Sequence, residues 1–386
     1  MKKALIVANL IGFVGFLRND ISLLISMGYD ISVVANGVVA PSEQMMEFFD
    51  DNNIKFYHVG FSSKKPFAKG NFRAYKELKK IFKEGKYDLI HCHTPIVGFF
   101  TRFAARKLRK KGTKVIYTTH GLAFTNISSK KQWFAYYWFE KIVSRYTDAI
   151  ITINKEDFEN AKRLWCKDVR YINGVGVDTA CYHNVDIDVD EYKRKLGIPT
   201  DKVIVLSVGE LSTRKNHQII IKALAKLQNK DDYAFVICGR EVDGSGFAKK
   251  LEYLAKEKGV ALYLLGHRSD IPQVMHCSDI GAIPSIREGL GLAGVQSLCA
   301  GVPLVGTAVQ GIKDYIIDGK TGFLCQPYDE NAYAEAIVNL SDKGLRESMR
   351  QACYETALKF DKKVSYMQMK EIYTSILTNE GKNEEA

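Results

Sequence analysis

The sequence contains no long hydrophobic run and no paired cysteine motif. None of its apolar stretches reaches the ~18 residues that a membrane-spanning helix needs, so we expect no transmembrane segment. The eight cysteines are scattered without a Cys-x-x-Cys pair, which argues against a disulfide framework and favours reduced thiols in the cytosol. No internal repeat or low-complexity block is present either, so solenoid and disordered classes are excluded.

Acidic residues are in the minority. The 386 residues include 44 Asp and Glu against 55 Lys and Arg, a formal net charge of +11, which favours anionic partners such as phosphates or an acidic membrane surface. No nucleic-acid-binding motif accompanies this charge, so we expect no nucleic-acid partner. We also expect no secretory signal, because Asn9, Gly12 and Gly15 interrupt the N-terminal apolar stretch. The protein is expected to be cytoplasmic, and soluble or peripheral to a membrane.

Short β-branched runs alternate with longer amphipathic segments along most of the chain. This alternation predicts an α/β fold with mostly parallel sheets covered by helices on both faces. It pauses over 173–190, where we place a hinge between two doubly wound domains, 1–178 and 179–360. A C-terminal helix and tail over 361–386 is expected to cross back to the first domain. The predicted strands are 4–8, 31–34, 54–59, 89–92, 114–117 and 149–152 before the hinge, and 203–208, 234–238, 261–265, 280–283 and 302–305 after it.

In open α/β sheets, ligands bind beyond the carboxyl ends of the strands. In the first domain this rule selects Gly12 and Gly15, which make a turn after the first strand and let the backbone approach an anion at the helix start. It also selects His91, His93 and His120, for which a zinc site is conceivable because alternation puts the first two on one face. No carboxylate or thiolate joins them with ligand spacing. We therefore favour a hydrogen-bonding His120 and a structural His91, and expect no metal.

The second domain contains a basic loop after its first strand. Gly209 ends that strand, and Arg214 and Lys215 follow where the next helix begins. Fixed positive charge beside helix N-terminal amides can bind a diphosphate. A solvated basic turn explains the segment equally well on its own.

A glycine-rich segment follows a later strand of the same domain. Gly289, Gly291 and Gly294 match the G-x-G-x-x-G fingerprint, which would indicate an NAD-dependent oxidoreductase. The match lies deep in the second domain, whereas a nicotinamide enzyme carries it in an opening βαβ unit. We favour a helix start that seats a nucleotide phosphate, with Glu288 accepting hydrogen bonds from hydroxyl groups.

Several segments together resemble the retaining glycosyltransferases of family 4. The resemblance implies the GT-B fold, in which two Rossmann-like domains face each other across a cleft. It is greatest to the bacterial enzymes that build capsule, exopolysaccharide or O-antigen units on a polyprenyl diphosphate lipid. The segments occur in the family's order, and they are His93-Thr94-Pro95, Thr119-His120-Gly121, Asn173 to Asp178, Gly209 to Asn216, Gly266 to Ile271, Arg287-Glu288-Gly289 and Asp318 to Gly322.

Residue by residue, the resemblance implies three catalytic side chains and a donor-binding set. Lys215, with Arg214, would bind the leaving diphosphate. Glu288 would bind hydroxyls of the donor sugar, and His120 would lie near that sugar. The first domain would bind the acceptor and the second the nucleotide sugar, without a cofactor or metal. The other donor-binding positions are Gly12 and Gly15, closing over the phosphates, Gly266 and Arg268, bordering the base, and Gly209, Gly289, Gly291 and Gln296.

Two positions depart from the family pattern. Gln296 replaces the second glutamate of the family's EX7E motif, and an amide lacks the charge of a carboxylate, so we expect weaker donor binding. Glu210 stands where the family often has arginine, and it would repel a diphosphate unless it turns away or Arg214 and Lys215 compensate. A nucleotide-sugar binding protein without transferase activity therefore stays open as an alternative.

The resemblance implies retention by front-face attack, with a UDP-sugar as donor and a lipid-linked saccharide as acceptor. In that reaction the acceptor hydroxyl enters beside the departing diphosphate, whose oxygen takes the proton. Catalysis then rests on positioning and on stabilising the leaving charge.

A basic and aromatic stretch predicts contact with an anionic membrane surface on the inner face of the cell membrane. An ordinary surface helix over a packed core is the alternative. The stretch comprises the cations Arg102, Arg106, Lys107, Arg109, Lys110, Lys111 and Lys114, the apolar Phe99, Phe100, Phe103 and Leu108, and the aromatic run 133–139.

Overall fold

The computed structural model describes residues 1–38, 42–62, 68–241 and 244–378. They form two compact units, one made of Met1–Gly176 together with the C-terminal segment that begins at Lys362, the other of Val177–Asp361. The chain thus builds the first unit, leaves it for the second, and returns.

The first unit contains a parallel sheet of seven strands in the order β3-β2-β1-β4-β5-β6-β7. The strands are β1 Lys2–Leu10, β2 Tyr29–Asn36, β3 Lys55–His58, β4 Leu89–His93, β5 Lys114–Thr119, β6 Ala149–Thr152 and β7 Asp168–Tyr171. The helices are α1 Ile11–Val14, α2 Arg18–Ser26, α3 Glu43–Asp51, α4 Lys69–Gly85, α5 Pro95–Arg109, α6 Lys130–Ser144, α7 Lys155–Ala161 and, at the C-terminus, α17 Lys362–Thr378. No helix of the described ranges is long and apolar enough to cross a bilayer.

The second unit contains a parallel sheet of six strands in the order β10-β9-β8-β11-β12-β13. Its strands are β8 Val203–Val208, β9 Tyr233–Cys238, β10 Leu262–Gly266, β11 Ile280–Ile283, β12 Leu304–Thr307 and β13 Gly322–Cys325. Its helices are α8 Thr179–His183, α9 Val189–Lys195, α10 Gln218–Leu224, α11 Phe247–Lys258, α12 Ile271–His276, α13 Leu292–Cys299, α14 Ile312–Tyr315, α15 Glu330–Ser341 and α16 Lys343–Leu358.

The central strands are apolar along their length because helices cover both faces of each sheet. In β1 all residues from Ala4 to Ala8 are fully buried, and β9 is buried throughout. The strand order reverses direction between β1 and β4 in one sheet and between β8 and β11 in the other. At such a reversal the flanking connections leave a crevice beyond the carboxyl ends of the strands, which is where doubly wound sheets bind ligands.

Three local features differ from the sequence predictions. Two edge strands, β7 and β13, were not predicted, and each has half-buried positions rather than a continuous apolar run. The segment 173–190, predicted to be an irregular hinge, contains α8 and the start of α9. The predicted glycine turn after β1 is wrong, because Gly12 lies inside α1, Gly15 opens a 3₁₀ turn, and neither has a positive φ.

Helix α17 packs within the first unit. Ser365 donates a hydrogen bond to the carbonyl of Gly174 at 2.8 Å, and the backbone N–H of Asn173 donates to Gln368 Oε1 at 2.9 Å. Further along the helix, Tyr373 is fully buried and its hydroxyl lies 2.7 Å from His91 Nδ1. The last described helix therefore reaches the interior of the first sheet.

A buried ion pair joins α5 to α6. Arg102 is fully buried, its Nη2 donates to Glu140 Oε2 at 2.7 Å, and its guanidinium carbon lies 3.8 Å from the centre of the Tyr117 ring. Removing one partner of a buried pair leaves the other charge uncompensated in a weakly polar interior, which costs far more than losing an exposed pair.

We predict that Glu140→Gln lowers the free energy of unfolding by about 3 kcal/mol, because the Arg102 charge then has no counter-charge. The matched control is Glu84→Gln, which removes the exposed Lys80–Glu84 pair and should change stability by less than about 1 kcal/mol. Urea denaturation followed by circular dichroism measures both, and equal effects of the two variants would contradict the prediction.

Candidate functional site

Three glycines lie side by side at the carboxyl edge of the second sheet. The backbone N–H of Gly239 donates to the carbonyl of Gly266 at 2.7 Å. A Cβ at Gly239 would come within 1.8 Å of the Gly209 carbonyl oxygen, so only glycine fits there. The structure thus brings the predicted Gly209 and Gly266 to one edge. Gly239 was missed, although its place directly after the predicted strand 234–238 was a signal for it.

Glu288 is the centre of the polar cluster at this edge. Its Oε2 accepts hydrogen bonds from Lys215 Nζ at 2.6 Å, Arg214 Nη1 at 3.1 Å and Ser285 Oγ at 3.1 Å. Burial by itself would raise the pKa of Glu288, but the Lys215 ammonium and the Arg214 guanidinium outweigh it and hold that pKa below its ordinary value. Glu288 is therefore ionised and accepts hydrogen bonds. Arg214, Lys215 and Glu288, which were predicted to bind the diphosphate and the sugar, are in contact with one another.

The carboxylate of Glu210 turns towards the basic loop. It accepts hydrogen bonds from Arg214 Nη2 at 3.1 Å and from Ser212 Oγ at 3.0 Å. Of the two arrangements open for Glu210, the structure shows pairing with Arg214. Since Arg214 lies between two carboxylates, Lys215 is the cation with one acidic partner, Glu288.

The neighbouring His217 supports this loop and was not predicted. It is fully buried, and its Nε2 lies 3.2 Å from the carbonyl oxygen of Glu210. Burial lowers the pKa of His217 to about 4, so the ring is neutral and Nε2 carries the proton that it donates to that carbonyl. Because only one neutral tautomer can make this bond, His217 fixes the position of the Glu210 backbone.

Residues after β12 position the Glu288 backbone. The N–H of Glu288 donates to Gln310 Oε1 at 3.2 Å, and the N–H of Gly311 donates to the Glu288 carbonyl at 3.4 Å. Gln310 is buried and has a φ of +33°, which a side-chain-bearing residue rarely adopts. No sequence motif pointed to Gln310.

Two of the three glycines of the G-x-G-x-x-G match, Gly291 and Gly294, have a packing explanation. A Cβ at Gly294 would lie 2.4 Å from the Tyr315 hydroxyl, and one at Gly291, where φ is +80°, would lie 2.9 Å from Glu288 Cγ and from that hydroxyl. Tyr315 Oη also donates to the Gly291 carbonyl at 3.3 Å. These glycines therefore make room for Tyr315 beside Glu288.

Two other predicted donor residues lie on neighbouring elements. Arg268 Nε donates to Asp270 Oδ1 at 2.7 Å, and the Tyr192 hydroxyl donates to the same carboxylate. Arg268 is thus tied to the loop after β10. Gln296 is half-buried, about one turn into α13.

Three histidines line up at the carboxyl edge of the first sheet. His93 Nδ1 lies 3.2 Å from His120 Nε2, and the rings of His91 and His93 are 4.2 Å apart. Both ring nitrogens of His91 have partners, Tyr373 Oη at 2.7 Å and Thr118 Oγ1 at 2.8 Å. His91 is therefore structural, and not positioned as a metal ligand.

All three histidines are neutral near pH 7. Burial lowers the pKa of His91 and of His120 to about 3, and it holds the pKa of His93 well below its ordinary value. In the neutral pair His93–His120 one ring donates and the other accepts. His120, which also contacts the Phe13 ring edge-on at 4.7 Å, thus acts through hydrogen bonds and not as a cation.

Comparison with known proteins decides the family. Residues 188–360 match the family described as glycosyl transferases group 1, and residues 21–179 match glycosyltransferase family 4. EpsD of Bacillus subtilis (strain 168), which carries a glycosyltransferase name, is 33% identical over 91% of this chain and 90% of its own length. The chain belongs to the family 4 glycosyltransferases.

Two further proteins resemble this glycosyltransferase along most of its length. An Escherichia coli enzyme, named UDP-Gal:alpha-D-GlcNAc-diphosphoundecaprenol alpha-1,3-galactosyltransferase, is 25% identical over 86% of both chains. The crystal structure of Anabaena HepE in complex with UDP-glucose superposes with a TM-score of 0.78 at 19% identity, covering 97% of this chain and 100% of HepE. The predicted GT-B fold of two Rossmann-like domains is confirmed, and the oxidoreductase alternative is wrong.

Fewer cations of the basic stretch on α5 are free to contact a membrane than the sequence predicts. Arg102 is buried against Glu140, and Arg109 pairs with Asp148 at 2.9 Å. Arg106 Nη1 donates to the Phe103 carbonyl at 2.7 Å. Part of the predicted lipid-facing charge on α5 is therefore used inside the first unit, because helix α5 packs on two neighbouring helices, α4 and α6.

The histidines give this glycosyltransferase a pH-dependent stability. His91 has a pKa of about 3 in the folded protein against about 6.5 when unfolded. Below pH 6.5 the unfolded chain gains a proton that the folded one does not, so stability falls as the pH falls. Asp20 acts in the opposite sense, because burial raises its pKa to about 7 and the folded protein gains that proton first.

We predict that the free energy of unfolding decreases from pH 6.5 to pH 5, by up to about 1.4 kcal/mol per pH unit for each buried histidine. Asp20→Asn should make the decrease steeper, since it removes the opposing proton, and His91→Gln should make it shallower. Urea denaturation at several pH values measures the slope. Asp51→Asn, at an exposed position, is the control, and an unchanged slope in both test variants would refute the assignment.

Proposed function

We propose that this glycosyltransferase transfers a hexose or N-acetylhexosamine from a UDP-sugar to a hydroxyl of a polyprenyl-diphosphate-linked saccharide, in the synthesis of a surface polysaccharide. The observation that supports this most is the 2.6 Å contact of Lys215 with Glu288 at the β8/β11 edge. This contact places the Lys215 ammonium, which can bind a diphosphate, next to the Glu288 carboxylate, which can accept hydrogen bonds from sugar hydroxyls. The donor class is supported by HepE and its UDP-glucose, and the acceptor class by the name of the E. coli relative.

In this proposal the second unit binds the donor. Lys215 and Arg214 neutralise the diphosphate, while Glu288 accepts hydrogen bonds from the sugar. Arg268 borders the base and Gln296 accepts from the ribose. Backbone at Gly209, Gly266, Gly289 and Gly291 lies close to the nucleotide because no side chain intervenes.

The proposed reaction retains the anomeric configuration. The bond between the anomeric carbon and the diphosphate oxygen breaks, and the acceptor oxygen forms its bond to that carbon on the same face. The acceptor proton passes to the departing diphosphate oxygen. Since side-chain cations stabilise the leaving charge, we propose that no metal ion takes part.

The first unit is proposed to bind the acceptor. His120 is neutral, so it can donate one ring hydrogen bond to a donor-sugar hydroxyl while its other nitrogen pairs with His93. Gly12 and Gly15 keep their proposed place over the phosphates. A Cβ at exposed Gly12 would meet nothing within 4 Å, so the backbone there is accessible.

We also propose that the protein is cytoplasmic and docks on the inner face of the cell membrane. Helix α6 supports this, because Phe134 is 62% and Trp138 39% exposed, and Lys130 and Lys131 at its start are exposed as well. Exposed aromatic rings beside cations suit an anionic lipid interface.

A nucleotide-sugar binding protein without transfer is the second candidate. It is favoured by Gln296, which cannot offer a charged acceptor, and by the Glu210 carboxylate on Arg214. UDP release from a bound UDP-sugar without labelled product on any lipid acceptor would support this candidate over the enzyme.

We predict that Lys215→Ala lowers kcat about a hundredfold, corresponding to ~3 kcal/mol of lost transition-state stabilisation, because the main cation at the leaving diphosphate is removed. Radiolabelled sugar transfer to a lipid-linked acceptor measures it. Lys222→Ala, which removes the surface pair with Glu330, is the control, and melting temperatures verify folding. Near-normal turnover of the Lys215 variant would rule out the assigned role.

We predict that Gln296→Glu lowers the KM for the donor about fivefold, since a hydrogen bond to a charged group is worth roughly 1 kcal/mol more than one to a neutral amide. Initial rates at varied UDP-sugar concentration measure it, with Gln351→Glu at an exposed position of α16 as control. An unchanged KM would mean that position 296 does not contact the nucleotide.

A further inference from the structure

An apolar pocket lies between α5 and α6 in the first unit. Its walls include Pro95, Ile96 and Phe99 from α5, Ala123 from the loop after β5, and Tyr136 and Phe139 from α6. The cavity between these walls has a volume of about 60 Å³ and is partly open to solvent, so a ligand can enter from outside. The lining is almost wholly hydrocarbon.

The two walls of the pocket are fixed by the ion pair described above. Glu140 borders the pocket, and its carboxylate is engaged with Arg102, which is itself stacked on Tyr117. The charges are thus satisfied by each other. This pair joins helices α5 and α6, and the pocket surface remains apolar.

The pocket adjoins the histidine edge of the sheet. Pro95 follows His93 by two residues, and Ala123 follows His120 by three. At ~3.5 Å per residue, the pocket wall is within about 10 Å of chain from His120. A molecule with its apolar end in the pocket can therefore present a polar end at the carboxyl ends of β4 and β5.

The chemistry of the lining selects a hydrocarbon occupant. A peptide or a sugar would bring polar groups that these walls leave without hydrogen bonds, at a substantial desolvation cost. Outside the pocket, α6 carries cations next to its aromatic rings: Lys141 Nζ lies 5.3 Å from the Trp138 ring centre, and Arg145 Cζ 3.7 Å from that of Trp165. These cations lie on the face of α6 away from Tyr136 and Phe139, so the occupant is selected by the apolar walls alone, which complement a hydrocarbon chain.

We propose that this pocket binds the isoprenoid chain of the lipid-linked acceptor and so places the attached saccharide beside His120. The inference rests on the proposed function and deepens it by assigning the lipid part of the acceptor to a site of its own.

The first test is direct binding of a short prenyl lipid. Isothermal titration of the whole protein with farnesyl phosphate should show binding, whereas isopentenyl phosphate and inorganic phosphate should show none. Ile96→Trp, which fills the pocket, and Tyr136→Ala, which removes a wall, should each weaken farnesyl phosphate binding at least tenfold. The control Val338→Trp, at an exposed position of the second unit, should leave it unchanged.

The second test separates the pocket from the reaction. Ile96→Trp should raise the KM at least tenfold for GlcNAc-diphosphofarnesol, but leave unchanged the KM for the methyl ester of GlcNAc-diphosphate and the KM for the donor. Equal effects on both acceptors, or none, would overturn the proposal. If the unaltered protein transfers sugar to neither acceptor, the proposed function fails, while farnesyl phosphate binding still decides the pocket.

Discussion

The contact between Lys215 and Glu288 is the interaction on which the candidate site depends. Each charge is largely withdrawn from water, at 15% and 14% side-chain exposure, and either one alone would be costly to bury. Together they are stable at the ends of adjacent strands, because the backbone at Gly239 approaches Gly209 so closely that the first loop is drawn to the sheet edge. Under the proposed function, an incoming diphosphate would compete with Glu288 for the Lys215 ammonium and would leave that carboxylate free to accept hydrogen bonds from the sugar.

The candidate residues of the first unit are uncharged, unlike those of the second. Its polar edge carries histidines that burial keeps neutral, so it offers directed hydrogen bonds and no fixed charge. The C-terminal helix α17 stabilises these histidines, because the Tyr373 hydroxyl lies within hydrogen-bond distance of His91. The fixed cations of the candidate site thus lie in the second unit, and the neutral histidines lie in the first.

The sequence predicts the central strands well, because a run such as Ala4 to Ala8 has few alternatives once both faces are buried. Of the edge strands, β7 and β13 were missed, and β7 mixes Asp168 and Arg170 with apolar residues and has no single period. The same limit applies to the site. Strand ends predict which residues share an edge, as Lys215 and Glu288 do, but side-chain pairings made across loops, such as Glu210 with Arg214 or Glu288 with Gln310, depend on packing that no short motif records.

The G-x-G-x-x-G segment illustrates why spacing alone is a weak guide to ligand. In a dinucleotide enzyme those glycines let the backbone approach a pyrophosphate, whereas here Gly291 and Gly294 make space for the Tyr315 ring next to Glu288. In both cases only glycine fits at the start of the helix, so both produce the same sequence motif. The two kinds of site differ in where the segment lies in the sheet. Here it follows β11, which pairs with β8 at the reversal of strand order. The segment and the Lys215 loop after β8 therefore border the same crevice from opposite sides.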